Sequence, residues 1–137
     1  MKKSLLLLSM FSLFLLFSCS EEVEEKKVDK NANLPLTEIV DGVFREYYPG
    51  RKAIKMQGQM DEKNQRHSKW TFFSETGTEL SITHYEHGIK EGHSIVKYPN
   101  GVLNYYGEYH QDKKIGIWKK YDANGKMIEE TDFGPIK

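Results

Sequence analysis

The sequence predicts an all-β fold, an antiparallel meander of about four β-hairpin repeats. Three observations predict it. After position 19 the chain is poor in leucine, with Leu34, Leu36, Leu80 and Leu103 only, yet keeps fourteen aromatic residues, a balance that favours strands over packed helices. Aromatic and apolar residues then recur at about 24-residue intervals. Glycines fall in the same phase, inside short segments with turn chemistry.

Length and charge narrow the function classes. The chain has 137 residues, enough for one domain, with 20 Lys plus Arg against 20 Asp plus Glu. That balance gives no basic excess of the kind a dedicated nucleic-acid binder carries. The expected partners are a membrane, reached through a lipid anchor, and a protein; nucleic acid is not among them.

Residues 1–18 read as a lipoprotein signal peptide. Lys2 and Lys3 precede an apolar run from Leu5 to Phe17, about 13 residues, where a membrane-spanning helix needs roughly 20. The run ends in Leu16-Phe17-Ser18-Cys19. This resembles a bacterial lipobox, which implies cleavage before Cys19 and acylation of that residue. Cys19 is the sole cysteine, so no disulfide forms within the chain.

Residues 19–36 read as the lipidated cysteine followed by a charged, flexible tether. The stretch from Ser20 to Pro35 lacks aromatics and cannot bury enough apolar surface to offset its ordering entropy. Ser20-Glu21-Glu22 is similar to the acidic export signals of surface lipoproteins in Bacteroidetes. The expected location is therefore the cell envelope, lipid-anchored in the outer membrane of a Gram-negative bacterium; the acids read equally as a surface-export signal or as a solvated charge run.

Residues 37–137 form the expected repeat domain. One column holds Phe44, Trp70, Ile95 and Trp118, and a second, three residues on, holds Tyr47, Phe73, Tyr98 and Tyr121. The turn column is Gly50, Gly77, Gly101 and Gly125. A last column, Met60, Tyr85, Tyr109 and Phe133, is spaced by 25, 24 and 24. Gly92 and Gly116 open the later units, with Ser68 in the equivalent place before Trp70. Each unit reads as an outgoing strand, a tight turn such as Asp122-Ala123-Asn124-Gly125, and a return strand. Return strands alternate, so Leu103, Tyr105, Gly107 and Tyr109 share a face while Tyr106 is opposite and is expected to be the most exposed aromatic. Gly58 and Gly107 fall where a neighbouring aromatic needs close approach. The stretch from Gly50 to Met60 is longer than its counterparts, which predicts a bulge or longer turn in the first unit.

Gly116-x-Trp118-x-x-Tyr121-x-x-x-Gly125, and Tyr98-Pro99-Asn100-Gly101-x-Leu103 with Gly107-x-Tyr109, resemble the MORN-repeat variant of bacterial proteins. The resemblance spans roughly residues 43–137. It implies stacked antiparallel hairpins and no catalytic constellation. Its YwqK-like members carry an antitoxin label, which implies as the alternative function an antitoxin or immunity protein neutralising a partner toxin.

The residues themselves give little chemistry. His84, His87 and His93 cluster in sequence, but a spacing of three on a strand sends side chains to opposite faces. Ser68, Ser74, Ser81 and Ser94 lack a nucleophile elbow, and adjacent carboxylates such as Glu129 and Glu130 diverge. No catalytic residue, metal ligand or cofactor is expected. The leading function is an envelope lipoprotein whose repeat domain is a protein-interaction scaffold.

Overall fold

The computed structural model describes residues 34–136; the signal peptide, Cys19 and most of the tether lie outside them. Among the described residues the fold is all-β, a single antiparallel sheet of nine strands in sequence order with no helix. A short strand β1 (Thr37–Val40) leads into four hairpins: unit one, β2 (Val43–Tyr47) and β3 (Ile54–Met60); unit two, β4 (Arg66–Phe73) and β5 (Glu79–Glu86); unit three, β6 (Ile89–Lys97) and β7 (Leu103–His110); unit four, β8 (Lys113–Tyr121) and β9 (Met127–Asp132).

Two kinds of turn occur, and they alternate from β4 onward; between β3 and β4 the turn is of the longer kind, with Asp61 N bonding Gln65 O. Within units the chain reverses through the predicted glycines, and Gly50, Gly77, Gly101 and Gly125 all have φ between 81 and 85°. In units two to four one backbone pattern recurs, Ser74 N to Thr78 O, Tyr98 N to Val102 O and Asp122 N to Lys126 O. Unit one differs, with Tyr48 N bonding Ala53 O one residue further on. That is the longer turn expected there. Between strands of neighbouring units, Asp41-Gly42, His87-Gly88 and Gln111-Asp112 are pairs with both φ positive, the requirement of a type I′ hairpin turn.

Tertiary packing reduces to one row. Ile39, Phe44, Gly58, Trp70, Thr83, Ser94, Gly107, Trp118 and Thr131 lie side by side across the sheet. Six of the seven buried residues belong to that row, and the seventh, Thr71, is on the opposite face beside Trp70. The fold has no second layer among the described residues, so each tryptophan is buried by its neighbours on the same sheet. Trp70 is 1% exposed and Trp118 5%.

Five sequence expectations need correction. In unit three the row residue is Ser94, not Ile95, which pairs with Ile82 and Tyr106 on the other face. The corresponding strand end is Lys97, and Tyr98 belongs to the turn, like Tyr48 in unit one. Phe133 is not in the core: it is 48% exposed and meets the Trp118 ring only by its edge. The columns three residues apart also serve opposite faces, as alternation requires. Tyr121 therefore stacks on Tyr106 at 6.5 Å and 18°, away from Trp118, and Tyr106 is half-buried rather than free. Pro35 and Leu36, assigned to the tether, are held by unit one: Arg51 donates to Pro35 O, and Tyr47 N donates to Leu36 O at 2.7 Å.

Candidate functional site

The sheet face that carries both tryptophans is the candidate site. Its geometry starts from a bulge. Ser68, Gly92 and Gly116 all have positive φ, and each interrupts the pairing of an outgoing strand with the preceding return strand. The bulge in β4 frees the carbonyl of Gln59, and the Trp70 indole N–H donates to it at 2.9 Å. In β8 the Trp118 N–H donates to Glu108 O at 3.2 Å. Both rings then lie flat on a glycine. A Cβ built on Gly58 would sit 2.3 Å from Trp70 Cδ2, and one on Gly107 would sit 2.2 Å from Trp118 Cδ2.

Cations cap these rings. Arg66 lies 4.6 Å from the Trp70 ring centre and 5.4 Å from that of Tyr85. Lys114 lies 4.4 Å from Trp118 and 5.4 Å from Phe133. Lys90 lies 4.9 Å from Tyr109. Arg66, Lys90 and Lys114 are spaced by 24 residues each, a periodic signal in the sequence that the search for aromatic columns passed over. Each cation–aromatic contact is worth about 0.5–1 kcal/mol at an exposed site. Tyr109 meets Trp118 edge-on at 4.9 Å, and burial pushes its phenol pKa up.

A concavity of about 470 Å³ lies at unit four and is lined by Tyr105, Lys114, Trp118, Lys120, Glu129 and Phe133 among others. Its walls combine the Lys114, Lys119 and Lys120 ammonium groups with the Tyr105, Trp118 and Phe133 rings and the Glu129 carboxylate.

The histidines are drawn into the hairpin ends. His84 Nδ1 is 3.1 Å from His93 O, and the neighbour of His87 is Asp61, at 2.7 Å, rather than His84. The His87 bond and the Gln65 N–H hold the Asp61 carboxyl below its ordinary range. Glu91 is likewise held low, by the Gln111 N–H and then His110. Among the described residues no three His, Cys, Asp or Glu side chains are grouped to hold a metal ion.

The other face sets ion pairs and tyrosine bonds beside the Ile82, Ile95, Tyr106 and Tyr121 side chains. Tyr47 donates to Glu38 at 2.6 Å and Arg51 pairs with the same carboxylate at 2.5 Å. The Tyr47 bond, then Arg51, lowers the Glu38 pKa. Lys97 pairs with Glu79 and Lys119 with Glu130, at 3.0 and 3.5 Å.

With Gly116, Trp118, Tyr121 and Gly125 thus placed on one hairpin, the comparison with protein families becomes interpretable. Residues 114–133 match the MORN repeat variant. The match starts at the cation Lys114 and ends at Phe133, the two groups that flank Trp118, so the repeat coincides with unit four. Searches of curated proteins and of solved structures gave no match.

Proposed function

We propose that this protein is a non-catalytic envelope lipoprotein, anchored through acylated Cys19 in the outer membrane of a Gram-negative bacterium, whose repeat sheet is a scaffold for a protein partner. The observation that carries the reading is a sheet of stacked hairpins with no second layer among the described residues, one hairpin of which matches the MORN repeat variant. Stacked repeats present extended surfaces of this kind to partners. The lipobox-like Leu16-Phe17-Ser18-Cys19 supports the anchor, and Glu21 and Glu22 support display at the cell surface.

The test is capture of the full lipidated chain from its native envelope, with cross-linking and mass spectrometry, beside a Cys19→Ala control. The reading predicts palmitate labelling that the control lacks, and a protein enriched with the parent chain. Labelling that persists in the control, or no enriched protein, contradicts it. An enriched partner that is toxic when expressed without this chain replaces the scaffold role by the antitoxin one.

A further inference from the structure

The meander ends in an open edge. Among the described residues β9 pairs only with β8, and no strand covers its outer side. Phe133 N donates inward to Gly116 O, so by alternation the N–H groups of Glu130 and Asp132 point outward. Met127, Ile128 and Phe133 are 49, 54 and 48% exposed along this edge. Glu129, Glu130 and Asp132 are exposed with them.

Three possible occupants differ in fit. The strands alternate in direction across nine positions, so β1 and β9 run the same way. A second copy adding its β1 would pair parallel, or else exchange the two faces. A second copy adding its β9 about a two-fold axis would bring acid against acid, Glu130 facing Glu130 or Asp132 according to register, which is unfavourable across strands. The chain's own residues 20–33 carry five acids and three lysines, the wrong sign. A basic strand fits, and β8 shows how: Lys119 lies opposite Glu130, and Lys120 opposite Glu129.

We propose that the outer edge of β9 accepts an extended, lysine- or arginine-bearing segment of a protein partner as a tenth, antiparallel strand. This rests on the scaffold reading and names its contact surface. Main-chain bonds to Glu130 and Asp132 supply affinity, and the acids select the basic partner.

The probe is a labelled nonapeptide with the sequence of residues 113–121, and a counterpart with its four lysines replaced by glutamate. Both are titrated by fluorescence anisotropy into the full chain in detergent. The basic peptide should bind saturably, slow hydrogen exchange in β9, and bind about tenfold more weakly to Glu129→Lys/Glu130→Lys. Glu129→Gln/Glu130→Gln, which avoids new charge, should weaken binding in the same direction by less. Absent saturation, equal binding of the glutamate peptide, undiminished binding to both variants, or slowing confined to strands other than β9 overturns the proposal. In the envelope capture, a partner held equally by parent and charge-reversed chains overturns the edge while leaving the scaffold. No capture by the parent removes the scaffold reading and the edge with it.

Discussion

The seams β3–β4 and β7–β8 differ from the seam β5–β6 in what fills the central row. In the first two a tryptophan lies on a glycine, with its N–H on a carbonyl opened by the bulge. In the third, Thr83 and Ser94 share a hydroxyl–hydroxyl bond of 3.0 Å, and on the opposite face Lys97 pairs with Glu79 nearer the strand ends. Tyrosines follow the same division: Tyr48 donates to Phe73 O at 2.8 Å and Tyr98 to Tyr121 O at 3.0 Å, joining unit one to two and unit three to four. The backbone repeats every 24 residues or so, while the side chains repeat every two units, Trp70 to Trp118 and Gly58 to Gly107. The difference teaches that the sheet is two tryptophan-locked hairpin pairs joined through a polar seam.

The largest expected effect is loss of a lock. Trp118→Ala should cost about 3–5 kcal/mol, a large part of the roughly 5–15 kcal/mol of a domain. Gly107→Ala should destabilise without removing an atom, because its Cβ would fall inside the indole; overpacking of this sort costs about 1–3 kcal/mol or more. Thermal or urea unfolding of each variant reads both. A Gly107→Ala chain as stable as the parent would remove the lock.

At the polar seam the effect is smaller and its pattern differs. Thr83→Ala leaves Ser94 buried without its partner and should cost about 1–3 kcal/mol. Changing Thr83 to Val and Ser94 to Ala together should cost less than the sum of the two single changes, as a double-mutant cycle would show. Additive losses would mean that the two hydroxyls do not act as a pair.

How much of this was legible follows from the same comparison. The hairpins, their turn glycines and the close approach at Gly58 and Gly107 could be read because glycine and aromatic residues mark them directly. Unit three differs from its sequence pattern by one residue because its row position holds a serine, while the apolar residue in phase, Ile95, falls on the other face. Gly92 carried the missing signal: Ser68 and Gly116 precede Trp70 and Trp118 by two, and Gly92 precedes Ser94 by two. Phe133 shares a period with Tyr85 and Tyr109 but lies just beyond β9, and among the described residues nothing covers it as the next unit covers those two. The cation row was missed because long charged side chains read as solvent-facing, although their stems and charges rest on rings.

A smaller effect tests the bulge. Ser68 holds φ 59°, where its counterparts in units three and four are glycines. Ser68→Gly should stabilise the chain by up to about 1 kcal/mol, read as a higher melting temperature, since a side chain in that conformation is strained. A lower melting temperature would assign Ser68 a contact that outweighs the strain.

The smallest effect is expected from acid. Asp61 and Glu91 have folded pKa values below their ordinary ones, so their contribution is present above about pH 4 and lost as pH falls through the lowered values. The melting temperature of Asp61→Asn should lie below that of the parent at neutral pH and converge on it toward about pH 2. A constant gap across that range would exclude the carboxylate as its origin.

The most direct measurement is native-state hydrogen exchange, strand by strand, in the parent and in Trp118→Ala. Two locked pairs joined by a polar seam predict that protection falls in β7, β8 and β9 while β2, β3 and β4 keep theirs, with the change in behaviour at β5–β6. An equal loss of protection across all nine strands would contradict the account.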